Sequence, residues 1–132
     1  MPRFHHLGYE FSIPDEWWSA AGVSQFEPVT PAYRVGEREK RYSRFIEPVV
    51  PIPLVTLQPI DRNLSHGVFR DRESVVQILR GFVADDALPP VCVTRAGTDG
   101  YALFDGAHRF YCAIAVGFSL IPAIDVSEGV SY

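Results

Sequence analysis

A chain of 132 residues is the size of one domain and can bury a single hydrophobic core. Its 47% hydrophobic and 13% aromatic residues exclude a disordered chain. A net charge of −4 disfavours a protein that coats nucleic acid.

Neither a membrane segment nor a secretory signal is indicated. No apolar run approaches the roughly 20 residues of a membrane span, and the N-terminal MPRFHHLGYEF lacks the apolar core of a signal peptide. Cys92 and Cys112 form neither a CxxC pair nor a disulfide framework. We therefore expect a cytoplasmic domain with two unpaired, mostly buried thiols and no membrane association.

The first 47 residues are aromatic and irregular. Pro14 suits the first turn of a helix and Gly22 its end, which predicts a short helix between them. Trp17 and Trp18 would project about 100° apart on it, so we expect one indole in the core and one at the rim. A lid, a partner surface or a base-stacking platform is the alternative. The charged stretch GEREKRYSR (36–44) predicts a solvated loop.

From Pro48 the pattern becomes regular. Residues 52–57 predict a strand that prolines keep short or near a sheet edge, and residues 58–70 are polar and rich in turn formers. Asp71 is typical of a helix N-cap. The helix that follows should bury one stripe, which consists of Val75, Ile78, Leu79 and Phe82.

The remaining elements follow in quick succession. A strand at 91–94, a hairpin turn at 97–100 and a returning strand at 101–104 are predicted. A helix then ends at Gly117, and a last strand covers 121–126. The order indicates an α+β fold, a small mixed β-sheet with packed helices. We divide the single domain, 1–132, into an aromatic N-terminal extension (1–47) and a core (48–126).

The stretch FDGAHR (104–109) carries the functional argument. A strand ends, Gly106 permits a tight turn, and a helix begins whose first N–H groups lack intrahelical acceptors. Such an end binds phosphate readily, and the Arg109 guanidinium can fold back over the same anion. His108 adds a donor or a proton carrier. The alternative is a structural helix cap in which Arg109 pairs with a neighbour.

The sequence YALFDGAHRFYCAIAVGFSLIPAI resembles the ParB/sulfiredoxin-like superfamily. The shared pattern is a strand, D-G-x-H-R or a related loop, an alanine-rich helix, a glycine, and an "IP" that opens a strand. Upstream, IPLVTLQPI and RDRESVVQILRGF…LPPVCV follow the order of that superfamily, so the resemblance covers roughly residues 48–126. Since each motif is short, their common order carries the resemblance.

The resemblance implies several activities. Sulfiredoxins use a cysteine at the position of Ala107, so this chain is not expected to be a sulfiredoxin. Chromosome-partitioning ParB proteins have a downstream basic motif and a helix-turn-helix, which the sequence to Tyr132 lacks. A free-serine kinase branch carries D-G-x-H-R, the form most like 105–109, and nuclease activity also occurs in the superfamily.

The resemblance also implies that residues 58–71 bring further groups to the phosphate loop. The expected catalytic candidates are Asp61, His66 and Asp105, and the expected phosphate or nucleotide site consists of Gly106, Ala107, His108, Arg109 and Arg62. We favour N-capping for Asp105, with a catalytic base or Mg²⁺ ligand as the alternative. No metal site of the protein's own is predicted, since the adjacent His5 and His6 lack a third ligand.

These observations favour a stand-alone domain that binds a nucleotide or another phosphate-bearing small molecule, with phosphoryl transfer or hydrolysis as its reaction. ATP, ADP or CTP with Mg²⁺ would be the cofactor, and a homodimer is compatible with the sequence. One alternative is a ParB-like nuclease or nucleic-acid-associated accessory protein, which the acidic charge disfavours. Another is a non-catalytic domain that binds a protein partner. We rank phosphotransferase or phosphohydrolase above nuclease and leave open whether the domain is catalytic.

Overall fold

The computed structural model describes residues 3–6, 9–40, 48–59, 71–98 and 100–127. Its strands are β1 (Arg3–His6), β2 (Tyr9–Ser12), β3 (Val50–Pro53), β4 (Leu57–Gln58), β5 (Val91–Ala96), β6 (Gly100–Asp105) and β7 (Leu120–Asp125). Its helices are α1 (Asp15–Ala21), α2 (Glu37–Lys40), α3 (Arg72–Ala84) and α4 (Ala107–Val116), and a 3₁₀ turn covers Leu54–Thr56.

A mixed sheet of five strands forms the centre of the fold, in the order β3-β7-β5-β6-β4. The pairs β3–β7 and β5–β6 are antiparallel, and the pairs β5–β7 and β4–β6 are parallel. Hairpin β1–β2 is a separate two-stranded sheet. A small mixed sheet with packed helices is the fold class that the sequence predicts, and it is confirmed.

The strand predicted at 52–57 is interrupted, which corrects the sequence analysis. The 3₁₀ turn separates β3 from β4, and these two strands lie on opposite edges of the sheet. Leu54 N–H donates to the carbonyl of Ser119 at 3.0 Å, which is the next pair in the β3–β7 register, and the chain turns away after this bond. Edge strands of a flat five-stranded sheet would be about 19 Å apart, whereas the four Cα steps from Pro53 to Leu57 span at most about 15 Å. The sheet is therefore curved.

Helix α3 has the predicted start and a slightly different buried stripe. The Asp71 carboxylate accepts a hydrogen bond from the Ser74 amide at 2.7 Å and so caps the helix. Val75, Leu79 and Phe82 are buried as predicted; Val76 is also buried, whereas Ile78 is only half-buried. Helix α3 is therefore held by one apolar face.

Helices α3 and α4 lie side by side and run in the same direction. At their N-terminal end the charge of His108 on α4 acts on Asp71, the N-cap of α3. At their C-terminal end Phe82 of α3 meets Phe118, just beyond α4, with ring centroids 5.1 Å apart. We call these regions the amino end and the carboxyl end of the helix pair.

Residues 9–35 cover the helices and complete the core. Phe11, Ile13, Val23 and Tyr33 are buried in it. Arg72 pairs with Glu16 at 3.2 Å, and Arg80 donates through Nε and Nη2 to the carbonyl of Ala20 at 3.2 and 3.1 Å. These bonds fasten α1 to α3.

The two tryptophans of α1 do not divide between core and rim, which corrects the prediction. Trp17 and Trp18 are both half-buried and pack against the core, and Trp18 contacts Phe4 with ring centroids 5.9 Å apart. Helix α1 has seven residues and packs against α3, and both of its indoles stay partly exposed.

The charged stretch 36–44 contains one helical turn, α2, where a loop is predicted. Positions 41–44 lie outside the described residues. Within the described part of the chain, no helix has the length and apolar content that would carry it across a membrane.

Candidate functional site

Helix α4 begins without a side-chain cap. Strand β6 ends at Asp105, and Gly106 is the N-cap residue, with φ 101° and ψ 32° in the left-handed region. The first intrahelical bond runs from the Phe110 amide to the carbonyl of Gly106 at 3.0 Å. The N-capping role that the sequence analysis favours for Asp105 is wrong: Gly106 is the N-cap, Asp105 is still part of the strand, and its side chain is exposed.

Gly106 is required by packing as well as by its backbone conformation. An added Cβ would lie 2.7 Å from Val91 Cγ1 and 3.0 Å from Arg109 Nη2. The first of these distances is shorter than any ordinary carbon–carbon contact, and Val91 is fully buried. The turn therefore needs glycine whether or not a ligand binds there.

The Arg109 guanidinium folds back onto the turn at Gly106, and its placement over an anion stays a prediction. Its Nη2 donates to the carbonyl of Pro90 across a long 3.5 Å. Its Nε is buried and finds no acceptor among the described residues. A buried charged donor without an acceptor is costly, so the Nε–H of Arg109 still has one hydrogen bond to donate.

Tyr33 stands behind the guanidinium. Its hydroxyl donates to the carbonyl of Pro89 at 2.8 Å. Burial raises the pKa of Tyr33 above its ordinary value, and the neighbouring Arg109 charge and hydrogen bond oppose that rise. Tyr33 and the consecutive prolines therefore form the inner wall of the turn.

The N-terminus of α3 lies beside that of α4 and has its own anion. The amide and hydroxyl of Ser74 lower the pKa of the Asp71 carboxyl, and the charge of His108 adds to this. His108 is half-buried and Ala107 is buried, both in the first turn of α4. Two helix N-termini thus lie side by side, and of the side chains that the structure describes, only Asp71 caps one of them, that of α3.

Cys92 lies next to the turn, which the sequence analysis did not foresee. It pairs with Asp105 across β5 and β6, at an irregularity of their register. Burial and the Asp105 charge raise the pKa of the Cys92 thiol, and the charge of Arg109 opposes this. Burial alone raises the pKa of the Cys112 thiol. Both cysteines are free, as predicted; Cys112 is buried and Cys92 only half-buried. Both pKa shifts favour the neutral thiol over the thiolate.

Three of the predicted site residues, Asp61, Arg62 and His66, lie outside the described residues. The structure brings together the other five: Asp105, Gly106, Ala107, His108 and Arg109. It adds Val91, Pro90 and Tyr33, which no local motif marks. Among the described residues, no group of three or more His, Cys, Asp or Glu side chains could hold a metal ion.

No family model matches the sequence, and no match was found among curated proteins. The structure is similar to the crystal structure of sulfiredoxin from Arabidopsis thaliana, with a TM-score of 0.50 and 19% sequence identity. The match covers 61% of this chain and 85% of that one. It confirms the ParB/sulfiredoxin-like fold that the sequence motifs predict.

Proposed function

We propose that the domain binds the phosphate group of a nucleotide or another small molecule at the N-terminus of α4. The observation that carries the proposal is the contrast between the two neighbouring helix starts. Asp71 supplies a carboxylate to the first turn of α3, whereas the N-cap of α4 is a glycine and no described side chain caps that helix. A phosphate oxygen on α4 would occupy the place that the carboxylate takes on α3.

Charge supports this location. The positive dipole ends of α3 and α4 lie at the same end of the helix pair, and Asp71 offsets only the first. The Arg109 guanidinium lies against Gly106, and its buried Nε has no acceptor among the described residues. A fixed guanidinium beside oriented amides is suited to a dianionic oxygen group.

The nearby carboxylate favours a nucleotide that brings Mg²⁺. Asp105 is exposed and directly precedes the turn, so that it would repel a bare phosphate and attract a magnesium complex. In the proposed reaction, phosphoryl transfer or hydrolysis, Asp105 is the Mg²⁺ ligand or base. Asp61 or His66 is the other acid–base group, and Arg62 is a second cation on the phosphate. Thiol chemistry is disfavoured because Ala107 stands at the loop position where sulfiredoxins have a cysteine. The pKa values of both cysteines are also raised.

The test is a thermal-shift and calorimetric titration of the full chain with inorganic phosphate, pyrophosphate, ATP, ADP and CTP, each with and without Mg²⁺. A ligand at a hundredfold excess over its Kd should stabilise the fold by about 2.7 kcal/mol. Arg109→Met should weaken the best ligand by about tenfold to a hundredfold, because it removes one charge-assisted hydrogen bond. Arg109→Lys should recover only part of this, since lysine keeps the charge and loses the planar fork.

Arg80→Met is the matched control. Arg80 also donates to a backbone carbonyl, but on the outside of α3. Both variants should lower Tm, and only the Arg109 variant should lose affinity. The proposal fails if none of the five probes binds the wild-type chain, or if Arg109→Met lowers Tm and leaves affinity unchanged.

A further inference from the structure

A cavity of about 210 Å³ lies at the carboxyl end of the helix pair. Its floor consists of Tyr33, Phe82 and Phe118, which are buried and in mutual contact, with ring centroids 5.1 to 6.4 Å apart. Phe26 forms a wall and is half-buried. The interior can therefore take an apolar group of small size, since drug-sized ligands occupy roughly 300–1,000 Å³.

The rim of the cavity is acidic. Glu27, Asp85 and Asp86 line it, and all three are exposed. The single basic side chain among the lining residues, Arg34, donates through Nε to the carbonyl of Asp85 at 3.0 Å and lies 4.0 Å from its carboxylate. Arg34 thus neutralises one of three carboxylates, and the rim keeps a net negative charge.

The end of α3 adds to this negative charge. The last turn of α3 contains no basic residue, and two aspartates follow it directly. Helix carbonyls at this end carry partial negative charge, so acidic residues here are unfavourable and cations favourable. Asp85 is also the only described residue other than glycine with a positive φ, 56°. A glycine would fit this position better, and aspartate there places a carboxylate on the rim.

We infer that the cavity binds a small hydrophobic ammonium ion, with the apolar part on the aromatic floor and the ammonium group at the acidic rim. Aromatic faces and carboxylates both attract a desolvated cation. A neutral ligand would use only the floor, and an organic anion would be repelled by the rim. The inference does not rest on the phosphate site: the two share only Tyr33, and the charges that select the ligand here are those of Glu27, Asp85 and Asp86.

The experiment uses the uniformly ¹⁵N-labelled full chain and three probes of similar shape: 2-phenylethylammonium, 2-phenylethanol and 3-phenylpropionate. The ammonium ion should give saturable amide shifts at 81–86 and at Arg34. 2-Phenylethanol should bind about twofold to fivefold more weakly, as expected for one solvent-exposed charge interaction. 3-Phenylpropionate should bind more weakly still. Added salt should weaken the binding of the ammonium ion and leave the binding of the alcohol unchanged.

Two charge variants locate the cation. Asp86→Asn and Glu27→Gln should each lower the affinity for 2-phenylethylammonium by about twofold to fivefold without changing the affinity for 2-phenylethanol. The matched control is Glu73→Gln, which changes the net charge equally at the start of α3 and should have no effect. Equal binding of the three probes, shifts that map elsewhere, or an equal loss in the control would overturn the inference. Absence of saturable shifts with 2-phenylethylammonium would also overturn it.

Discussion

Acidic residues lie at both ends of α3, where the helix dipole has opposite effects on them. At the amino end the acid of Asp71 lies where the dipole favours it, and its hydrogen bond to Ser74 is short. At the carboxyl end Asp85 and Asp86 lie where the dipole disfavours them. Local rules of helix stability explain the first arrangement and not the second. Departures from such rules are expected where a site has a use besides stability.

A similar contrast separates the two glycines that bound α4. Gly106 and Gly117 have nearly the same φ, 101° and 99°. An added Cβ at Gly117 would have no neighbour within 4 Å, whereas at Gly106 it would meet Val91. Gly117 is therefore favoured by its backbone conformation alone, whereas Gly106 is required by its backbone conformation and by close packing against Val91.

The largest effect is expected from Gly106→Ala. Left-handed backbone costs alanine about 1–2 kcal/mol, and the contact with Val91 adds about 1–3 kcal/mol, so the free energy of unfolding should fall by roughly 2–5 kcal/mol. Gly117→Ala is the control and should lose only about 1–2 kcal/mol. Urea denaturation of both variants measures the difference.

The contact with Val91 can be tested separately. If it causes the excess loss, then Val91→Ala combined with Gly106→Ala should cost less than the two changes added together. Strict additivity would show that the short contact is not the cause.

Asp71→Ala should have an intermediate effect. Removal of the N-cap should lower Tm by about 2–6 °C at pH 7. The folded state lowers the pKa of this carboxyl below 3.8, so its stabilisation is present above that pH and is lost as pH falls through the lowered value. Tm of the variant and of the wild type should therefore converge in acid.

Asp71→Asn is the matched control, because asparagine caps about as well without a charge. It should keep most of the wild-type Tm at pH 7. A constant difference between wild type and Asp71→Ala down to pH 2 would contradict the assignment of this effect to the carboxylate.

The smallest effect, and one of opposite sign, is expected at the carboxyl end. Asp85→Gly should raise Tm by about 1–4 °C, because glycine adopts positive φ without strain and removes an acid from the negative end of α3. The side-chain pair with Arg34 should contribute little, since the two side chains are 58% and 81% exposed. Asp86→Asn changes the charge alone and separates the two causes. A lower Tm for Asp85→Gly would mean that the carboxyl end is optimised for stability after all.

Much of the fold could be predicted because its elements are local. Helix α3 follows from its N-cap and apolar spacing, and the hairpin of β5 and β6 follows from its turn residues. The break at Leu54–Thr56 could not be predicted in this way. It depends on the pairing of β3 with β7 and of β4 with β6, which are partners distant in sequence.

The candidate site divides in the same manner. The turn at Gly106 can be predicted from the local sequence, and the structure places the start of α4 where the motif predicts it. The surroundings of Arg109 come from Pro90 and Tyr33, in two separate stretches of the chain. The cavity likewise combines residues 26–34, 81–86 and 118, so that no single stretch could reveal it.

Tyr33 belongs to both ends of the molecule at once. Its ring stacks on Phe82 at 5.3 Å in the floor of the cavity, and its hydroxyl binds the carbonyl of Pro89 beside Arg109. A ligand that tilted this ring would change the setting of the guanidinium at the turn. Thermodynamic reciprocity then requires a phosphate ligand to alter affinity in the cavity by the same factor. Tyr33→Phe would keep the ring in the floor of the cavity and remove the hydroxyl beside Arg109, so this one substitution measures whether ligands at the two ends affect each other.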